Sequence, residues 1–204
     1  GDVWAVPEGT VVFADEPLVR VAGSILECQI IETCLLTTLN AQTLIATKAV
    51  RICHAARGRP VIEFGARRAH GPQMGLYAAR GAAIGGAAGT SNVCAARLLG
   101  IPAFGTMAHS WIMSFPEELA SFKAYARVFP DNTICLIDTY DTLQGARNAA
   151  MLRERLAGVR LDSGDLVRLA KQVRRILDDA GLKDAKLVAS GDLRQSPYSL
   201  VSGS

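Results

Sequence analysis

The sequence has little of what marks membrane proteins and nucleic-acid-binding proteins. No stretch reaches the roughly 18 uninterrupted apolar residues of a membrane-spanning helix, and no basic segment followed by an apolar one opens the chain. Basic residues never run longer than a pair such as Arg174 and Arg175, and the formal net charge is +3. We therefore expect a cytoplasmic protein that binds no nucleic acid and enters no membrane.

The cysteines also lack a recognisable pattern. There are five of them, an odd number, and no two have CxxC spacing. Most stand among Ile, Leu, Val and Ala, which is typical of reduced thiols in a protein core. Half of the 204 residues are apolar, so the chain is long enough to bury one sizeable core. The composition is that of a globular enzyme.

The first part of the chain predicts a small sheet followed by one long helix. Short β-rich runs occur at 9–13 and 17–21, with turn-forming residues between them. From Ile25 to about residue 56, apolar residues recur at three- and four-residue spacing. Ser24 precedes this pattern and Glu27 follows three residues later, which predicts a capping box at the start of the helix.

After residue 57, short apolar strands alternate with helices, the pattern of a parallel sheet. The predicted strands cover 61–64, 103–107, 133–138, 159–162 and 185–190, and the predicted helices cover 73–85, 117–129, 143–157 and 166–180. The predicted domains are part of a small sheet domain with its long connecting helix (1–57), an α/β catalytic domain (58–195) and an irregular tail (196–204).

Polar or glycine-rich residues follow five consecutive predicted strands, at 63–68, 105–109, 138–141, 160–165 and 190–192. An open doubly wound sheet and a closed barrel both fit the alternation of strands and helices. An open sheet normally concentrates such residues at one switch point, whereas a barrel collects them around the rim at the carboxyl ends of its strands. We therefore predict an irregular TIM-like α/β barrel, incomplete in this chain, with its site at that rim.

Histidine and aspartate side chains at these strand ends suit catalysis. An imidazole at position 109 acts as a general acid or base, accepts a phosphoryl group, or serves as a hydrogen-bonded structural residue, and these alternatives stay open for His109. His54 and His70 fall in arginine-rich surroundings and are predicted to be exposed. Of Asp138 and Asp141, one can cap the following helix, and the other can orient an imidazole or bind magnesium.

Arginines at the strand ends suit an anionic ligand. Arg160 and Asp162 alternate along a predicted strand and so point to the same side, where one can meet a phosphate and the other accept sugar hydroxyls. Arg67 follows another strand close to Phe64, and a planar guanidinium beside an aromatic ring favours a flat, anionic, aromatic ligand. A glycine-rich turn at 85–92 leads into a helix whose first amides can hold an anion.

Five segments stand in the order and spacing of the motifs of a known family: 63–68 (EFGARR), 89–92 (GTSN), 105–110 (GTMAHS), 138–142 (DTYDT) and 160–166 (RLDSGDL). They resemble the nicotinate phosphoribosyltransferases, and the likeness extends from about residue 9 to residue 193. The resemblance implies an irregular α/β barrel joined to a small sheet domain, and a homodimer. It also implies that nicotinic acid and phosphoribosyl pyrophosphate react with magnesium present, coupled to ATP hydrolysis, to give nicotinate mononucleotide for NAD synthesis.

The resemblance also implies roles for single residues. His109 is the histidine that ATP transiently phosphorylates, and Asp141 orients it. Phe64 stacks on the pyridine ring, and Arg67 lies near the ring or its phosphate neighbours. The residues implied to hold the phosphoribosyl group or to line the same rim are Arg160, Asp162, Gly191 and Asp192.

Ser91 bears on the choice of substrate. The related nicotinamide enzymes look similar but carry an acidic residue here, and that carboxylate accepts from an amide and repels nicotinate, whereas Ser91 can donate. The alternatives to a nicotinate phosphoribosyltransferase are a nicotinamide- or quinolinate-type phosphoribosyltransferase, a barrel lyase, or an inactive ligand-binding fragment of the same fold.

The family also has an N-terminal stretch and further barrel strands with a glycine-rich 5′-phosphate site. Neither is recognisable here, so we expect a longer protein.

Overall fold

The computed structural model describes residues 1–191 and shows two compact units, Gly1–Phe104 and the residues from Gly105 onward. Each unit combines helices with parallel strands, so the predicted α/β class is confirmed. The domain boundary predicted after residue 57 falls inside the first unit. No helix within residues 1–191 is long and apolar enough to cross a membrane.

The first unit begins with an antiparallel pair, β1 (Asp2–Ala5) and β2 (Val19–Ala22). The strand predicted at 17–21 is therefore confirmed in part, whereas the strand predicted at 9–13 is wrong. The intervening segment serves as the connection between the two strands, and it turns where the hydroxyl of Thr10 donates to the carbonyl oxygen of Pro7 at 2.6 Å.

Helix α1 (Ile25–Ala55) confirms the predicted long helix. The hydroxyl of Ser24 accepts from the backbone N–H of Glu27, and the carboxylate of Glu27 accepts from the backbone N–H of Ser24 at 2.9 Å. This is the capping box that the sequence predicts, and it satisfies two N–H groups that a helix start leaves without intrahelical partners.

The other elements of the first unit are β3 (Ile62–Glu63), a 3-10 turn (Ala66–Arg68), α2 (Pro72–Ile84), β4 (Gly89–Thr90) and α3 (Val93–Leu99). Strands β3 and β4 pair in parallel. Helix α2 packs against α1, and glycine allows a close approach: a Cβ at Gly85 would lie 2.6 Å from the carbonyl oxygen of Ala46. Residues 103–107, predicted as a strand, contribute an isolated bridge from Ala103 to Thr90, so that prediction is wrong beyond one residue.

The second unit contains α4 (His109–Met113), α5 (Glu118–Val128), β5 (Ile134–Leu136), α6 (Thr142–Ala150), a 3-10 turn (Arg153–Arg155), β6 (Gly158–Leu161), α7 (Leu166–Asp179) and β7 (Lys186–Ala189). The strands form one parallel sheet in the order β5-β6-β7. The helix predicted at 143–157 ends early, because Arg153 adopts φ +55°, which an α-helix cannot accommodate. Fully buried side chains such as Phe122, Leu136, Leu161 and Leu177 form the core around this sheet.

Candidate active site

The carboxyl ends of the three parallel strands of the second unit meet at one edge of the sheet. Asp138 stands two residues beyond β5, Asp162 directly follows β6, and Ser190 directly follows β7. One oxygen of the Asp138 carboxylate, Oδ2, accepts from the backbone N–H of Asp162 at 2.9 Å and from the hydroxyl of Ser163 at 2.6 Å. These bonds hold a carboxylate whose side chain is only 1% exposed between two neighbouring strands.

Arg160 joins the same group through its three guanidinium nitrogens. Its Nε donates to the hydroxyl oxygen of Ser190 at 2.7 Å, and its terminal nitrogens donate to Thr106 Oγ1 at 2.8 Å and to Asp162 Oδ1 at 2.6 Å. The hydroxyl of Ser190 also donates to Asp162 Oδ1. The contact between Arg160 and Asp162 confirms that the two side chains lie on the same side, and side chains from three positions hold the guanidinium.

His109 begins α4 rather than ending a strand. Its Nε2 lies 3.9 Å from Asp138 Oδ1 and 4.0 Å from Asp162 Oδ2. These separations are too long for hydrogen bonds, so the carboxylates act on the imidazole through their charge. The His109 side chain is 38% exposed and can therefore be reached by a ligand. His54 and His70 are exposed, as predicted.

Asp141 makes a different contact from the expected one. Its Oδ1 accepts from the backbone N–H of Gln144 at 2.7 Å, so Asp141 is the N-cap of α6. Within residues 1–191, the carboxylates of Asp138 and Asp162, and not that of Asp141, lie within 4 Å of His109. The ends of the elements separate the two aspartates, because Asp138 stands two residues beyond β5, whereas Asp141 immediately precedes α6.

The surroundings of Asp162 keep it ionised. Burial raises the pKa of its carboxyl, but the hydrogen bonds from Ser190 and Arg160, together with the charges of Arg160 and His109, bring the pKa below its ordinary value. The carboxylate therefore carries its negative charge at neutral pH and can accept hydrogen bonds from a ligand.

Gly191 is needed where it stands because of its backbone. Its φ is +88°, and a Cβ at this position would collide with the carbonyl oxygen of Asp162. The structure therefore brings Gly191 against the Asp162 backbone, while Asp192, the other residue expected on this rim, lies outside the described residues.

The residues expected to bind the pyridine ring lie in the first unit. Phe64 directly follows β3 and is half-buried, Ser91 directly follows β4 and is half-buried, and Arg67 is exposed in the 3-10 turn. In the glycine-rich segment, the side chain of Asn92 accepts from the backbone N–H of Ala95 and caps α3. The backbone N–H of Ala95, at the start of α3, is therefore already hydrogen-bonded to a side chain of the protein.

Glu63 and Thr90 contact each other beside the predicted ring-binding residues, and no individual role was predicted for either from the sequence. The Thr90 hydroxyl donates to Glu63 Oε2 at 2.6 Å, and the other carboxylate oxygen accepts from the backbone N–H of Gly65. The backbone N–H of Ser91 donates to the carbonyl oxygen of Glu63 at 2.9 Å. A signal was present, because a charged side chain inside an apolar strand requires a polar partner.

The sequence of residues 60–190 establishes the family of the chain. A model of the nicotinate phosphoribosyltransferase (NAPRTase) family matches residues 60–190, which is more than half of the 204 residues. The chain belongs to this family. A nicotinate phosphoribosyltransferase of Mycobacterium tuberculosis (pncB2) is 50% identical over 202 residues, which cover 96% of the chain and 43% of that protein.

Two solved structures related to nicotinate metabolism share the fold. A nicotinate-nucleotide pyrophosphorylase from Pyrococcus furiosus matches with a TM-score of 0.92 and 35% identity, over 98% of this chain and 53% of that one. Human nicotinic acid phosphoribosyltransferase matches with a TM-score of 0.86 and 31% identity, over 97% of this chain and 52% of that one. This nicotinate phosphoribosyltransferase-family chain thus spans about half the length of these structures, and less than half of the mycobacterial relative.

In this nicotinate phosphoribosyltransferase-family chain, the side chains at the carboxyl ends of β5, β6 and β7 offer few metal ligands. No group of three or more His, Cys, Asp and Glu side chains that could hold a metal ion occurs within residues 1–191. His109 Nδ1, Asp138 Oδ1 and Thr139 Oγ1 are buried atoms without a hydrogen-bond partner in that range. An unpaired Asp138 oxygen fits magnesium, because this ion commonly binds one or two carboxylates and takes its other ligands from water and substrate phosphates.

Proposed function

We propose that the protein is a nicotinate phosphoribosyltransferase, which joins nicotinic acid to phosphoribosyl pyrophosphate, releases pyrophosphate and forms nicotinate mononucleotide on the way to NAD. Membership of the family supports the proposal. The observation that carries it is the position of His109 against the carboxylates of Asp138 and Asp162, at the sheet edge that also holds Arg160. Hydrolysis of ATP is part of the proposal and is assigned to His109.

His109 accepts the terminal phosphoryl group of ATP. One ring nitrogen bonds to phosphorus while the bond from phosphorus to the bridging oxygen breaks, and ADP leaves with that electron pair. The other ring nitrogen keeps its proton, so the ring gains positive charge, which the carboxylates of Asp138 and Asp162 stabilise from about 4 Å. Water then cleaves the nitrogen–phosphorus bond and releases inorganic phosphate.

Arg160 and Asp162 hold the phosphoribosyl group, and Gly191 lines the same rim. The ionised Asp162 accepts hydrogen bonds from the ribose hydroxyls. Displacement at the ribose carbon places positive charge on the sugar and negative charge on the departing pyrophosphate, and Arg160 stabilises the latter. Asp138 and Asp162 would help to hold magnesium, which would supply further positive charge to the pyrophosphate.

The pyridine ring is assigned to residues of the first unit. Phe64 stacks on the ring, Arg67 pairs with an anionic group at or near it, and the hydroxyl of Ser91 donates to the nicotinate carboxylate. A serine rather than an acidic residue here supports nicotinate over nicotinamide as the substrate.

The architecture of the whole protein belongs to the same proposal. We infer that the parallel strands are part of an irregular α/β barrel, which strands outside this chain complete, and that residues 1–57 contribute to a small sheet domain. The TM-scores of 0.92 and 0.86 to longer family-related structures support this. We further propose that the protein is cytoplasmic and forms a homodimer, and light scattering of the purified protein would test the dimer.

Labelling and turnover together test the function. The intact protein is incubated with nicotinate, phosphoribosyl pyrophosphate, magnesium and ATP carrying a labelled terminal phosphate. We expect nicotinate mononucleotide, pyrophosphate and an acid-labile protein label that His109→Asn abolishes. Turnover of nicotinamide or quinolinate in place of nicotinate, or binding of phosphoribosyl pyrophosphate without any product, would contradict the proposal. Product formation without a label would remove the ATP step alone.

A further inference from the structure

Thr90, in β4, is fully buried, and all its polar groups are hydrogen-bonded. Its backbone N–H donates to the carbonyl oxygen of Pro102 at 3.0 Å, and its carbonyl oxygen accepts from the backbone N–H of Phe104 at 2.9 Å. Its hydroxyl accepts from the backbone N–H of Asn92 at 3.0 Å and donates to Glu63 at 2.6 Å. Thr90 is therefore a rigid point within the first unit.

Glu63 connects this rigid point to the loop that follows β3. One carboxylate oxygen accepts from Thr90, and the other accepts from the backbone N–H of Gly65, where the 3-10 turn begins. Its carbonyl oxygen accepts from the backbone N–H of Ser91. Phe64 is covalently next to Glu63, and Ser91 is next to Thr90, so two residues assigned to the ring each adjoin one member of this pair.

We propose that Glu63 is a positioning residue for the nicotinate ring, which fixes the loop carrying Phe64 and Arg67 against the end of β4 that leads to Ser91. The proposal rests on the proposed function, since it assigns the ring to these residues. Glu63 acts through its hydrogen bonds with Thr90 and Gly65 and does not touch the substrate itself. Its removal therefore affects the binding of nicotinate more than the later chemical steps.

The isosteric change Glu63→Gln breaks this arrangement in a defined way. If the amide oxygen faces the Thr90 hydroxyl, the amide NH₂ faces the backbone N–H of Gly65. If the side chain is flipped, the Thr90 hydroxyl loses the acceptor for its proton. In both orientations one donor is left without an acceptor, and a buried or half-buried donor in that state is unfavourable. Thr90→Val removes the same bond from the other side, together with the acceptor for the backbone N–H of Asn92, while Thr90→Ser keeps the hydroxyl and both bonds.

Steady-state kinetics of the intact protein test the proposal, with nicotinate and phosphoribosyl pyrophosphate varied separately. In Glu63→Gln and Thr90→Val we expect KM for nicotinate to rise about tenfold, which corresponds to about 1.4 kcal/mol, with kcat and KM for phosphoribosyl pyrophosphate within about twofold of wild type. Thr90→Ser, which keeps the hydroxyl, should have a KM for nicotinate close to that of wild type. Glu8→Gln is the matched control, because Glu8 is an exposed glutamate of the same unit that pairs with Arg80 at 2.6 Å.

The outcomes separate this proposal from the function on which it rests. A wild-type protein without activity overturns both. An active wild type with an unchanged nicotinate KM in Glu63→Gln overturns the positioning role and leaves the function intact. A parallel loss in both KM values, in kcat and in melting temperature means that Glu63 is merely structural, which also overturns the proposal. If Thr90→Val does not fold, Glu63→Gln and Thr90→Ser decide.

Discussion

In the second unit, hydrogen bonds join the candidate groups Asp138, Arg160 and Asp162 directly to one another. In the first unit, the loop after β3 is held through Glu63, whose carboxylate accepts from the Thr90 hydroxyl and from the backbone N–H of Gly65. In the second unit the bonded groups are themselves the candidate catalytic and binding groups. In the first unit the bonded pair stands one residue away from Phe64 and Ser91. Substitutions in the second unit should therefore act on chemistry, and those in the first unit on ligand choice and affinity.

The two units also differ in the size of the side chains that form their cores. In the second unit, large side chains such as Phe122 and Leu136 are fully buried. In the first unit, the buried apolar residues are Ala49, Ala56, Ala79, Ala82 and Ala95, and α1 leaves Ile25 78% exposed and Leu44 71% exposed. Burial of large apolar side chains is the dominant favourable term in folding, so the second unit gains more from its own core.

The largest expected effect separates two aspartates of the second unit. Asp138→Asn removes a charge 3.9 Å from His109 and should lower ATP-coupled turnover about 100-fold, the lower end of what the loss of one electrostatic stabiliser of a reaction costs. Asp141→Asn should stay close to wild type, because asparagine is as good an N-cap as aspartate. Both rates and the phosphohistidine label are measured in the intact protein. Equal losses in the two variants would contradict the assignment.

Local signals in the sequence predicted much of the fold and part of the candidate site. The capping box of Ser24 and Glu27 lies within four consecutive residues, so the start of α1 could be predicted. The strand-end positions of Asp162 and Arg160 followed from the alternation of strands and helices. The choice between Asp138 and Asp141 could not be made, because it depends on how far each lies from the strand and helix ends, and sequence patterns place these ends only approximately.

Long-range contacts explain the other features that were not predicted correctly from the sequence. The bond between Glu63 and Thr90 joins residues 27 positions apart. The apolar strand around Glu63 indicates that its carboxylate needs a polar partner, but no local pattern identifies Thr90 as that partner. Residues 103–107 look like a strand by composition, but they meet β4 at one bridge, with Pro102 and Gly105 on either side of it. A strand is defined by its partner, so an apolar run without a pairing surface stays irregular.

A change of ligand preference should follow from one substitution in the first unit. Ser91→Asp places a carboxylate after β4 that repels the nicotinate carboxylate and accepts from the nicotinamide amide. We expect kcat/KM for nicotinate to fall at least about tenfold and the preference to shift toward nicotinamide. Competition kinetics with both pyridines measure this, with Ser91→Ala as the control that lacks the charge. An unchanged preference in Ser91→Asp would contradict the assignment of the ring to this residue.

Two helical glycines compare the packing of the units directly. A Cβ at Gly145, in α6, would collide with the carbonyl oxygen of Ile137, so Gly145→Ala should lower the free energy of unfolding by about 1–3 kcal/mol. A Cβ at Gly75, in α2, would meet the side chain of Asn92 at 3.6 Å, an ordinary contact, so Gly75→Ala should raise it by up to about 1 kcal/mol. Chemical denaturation of the intact protein measures both. Changes of the same sign in the two variants would contradict the difference in packing.

The smallest expected effect concerns Glu118, the first residue of α5, whose Oε2 accepts from the side chain of Asn148 at 2.8 Å. Burial raises the pKa of the Glu118 carboxyl, the charge of Asp141 raises it further, and the hydrogen bond from Asn148 opposes this. Because the pKa of Glu118 is higher in the folded protein than in the unfolded chain, the stabilising contribution of Glu118 is present below the unfolded pKa and is lost as pH rises through the folded pKa.

Glu118→Gln keeps an acceptor for Asn148 without the charge, so this variant should melt slightly higher than wild type at about pH 7 and lose that advantage near pH 4. Melting curves at both pH values measure this, and Glu117→Gln, at the exposed neighbouring glutamate, should show no such difference. A Glu118→Gln protein that melts below wild type at neutral pH would mean that the ionised carboxylate stabilises the second unit.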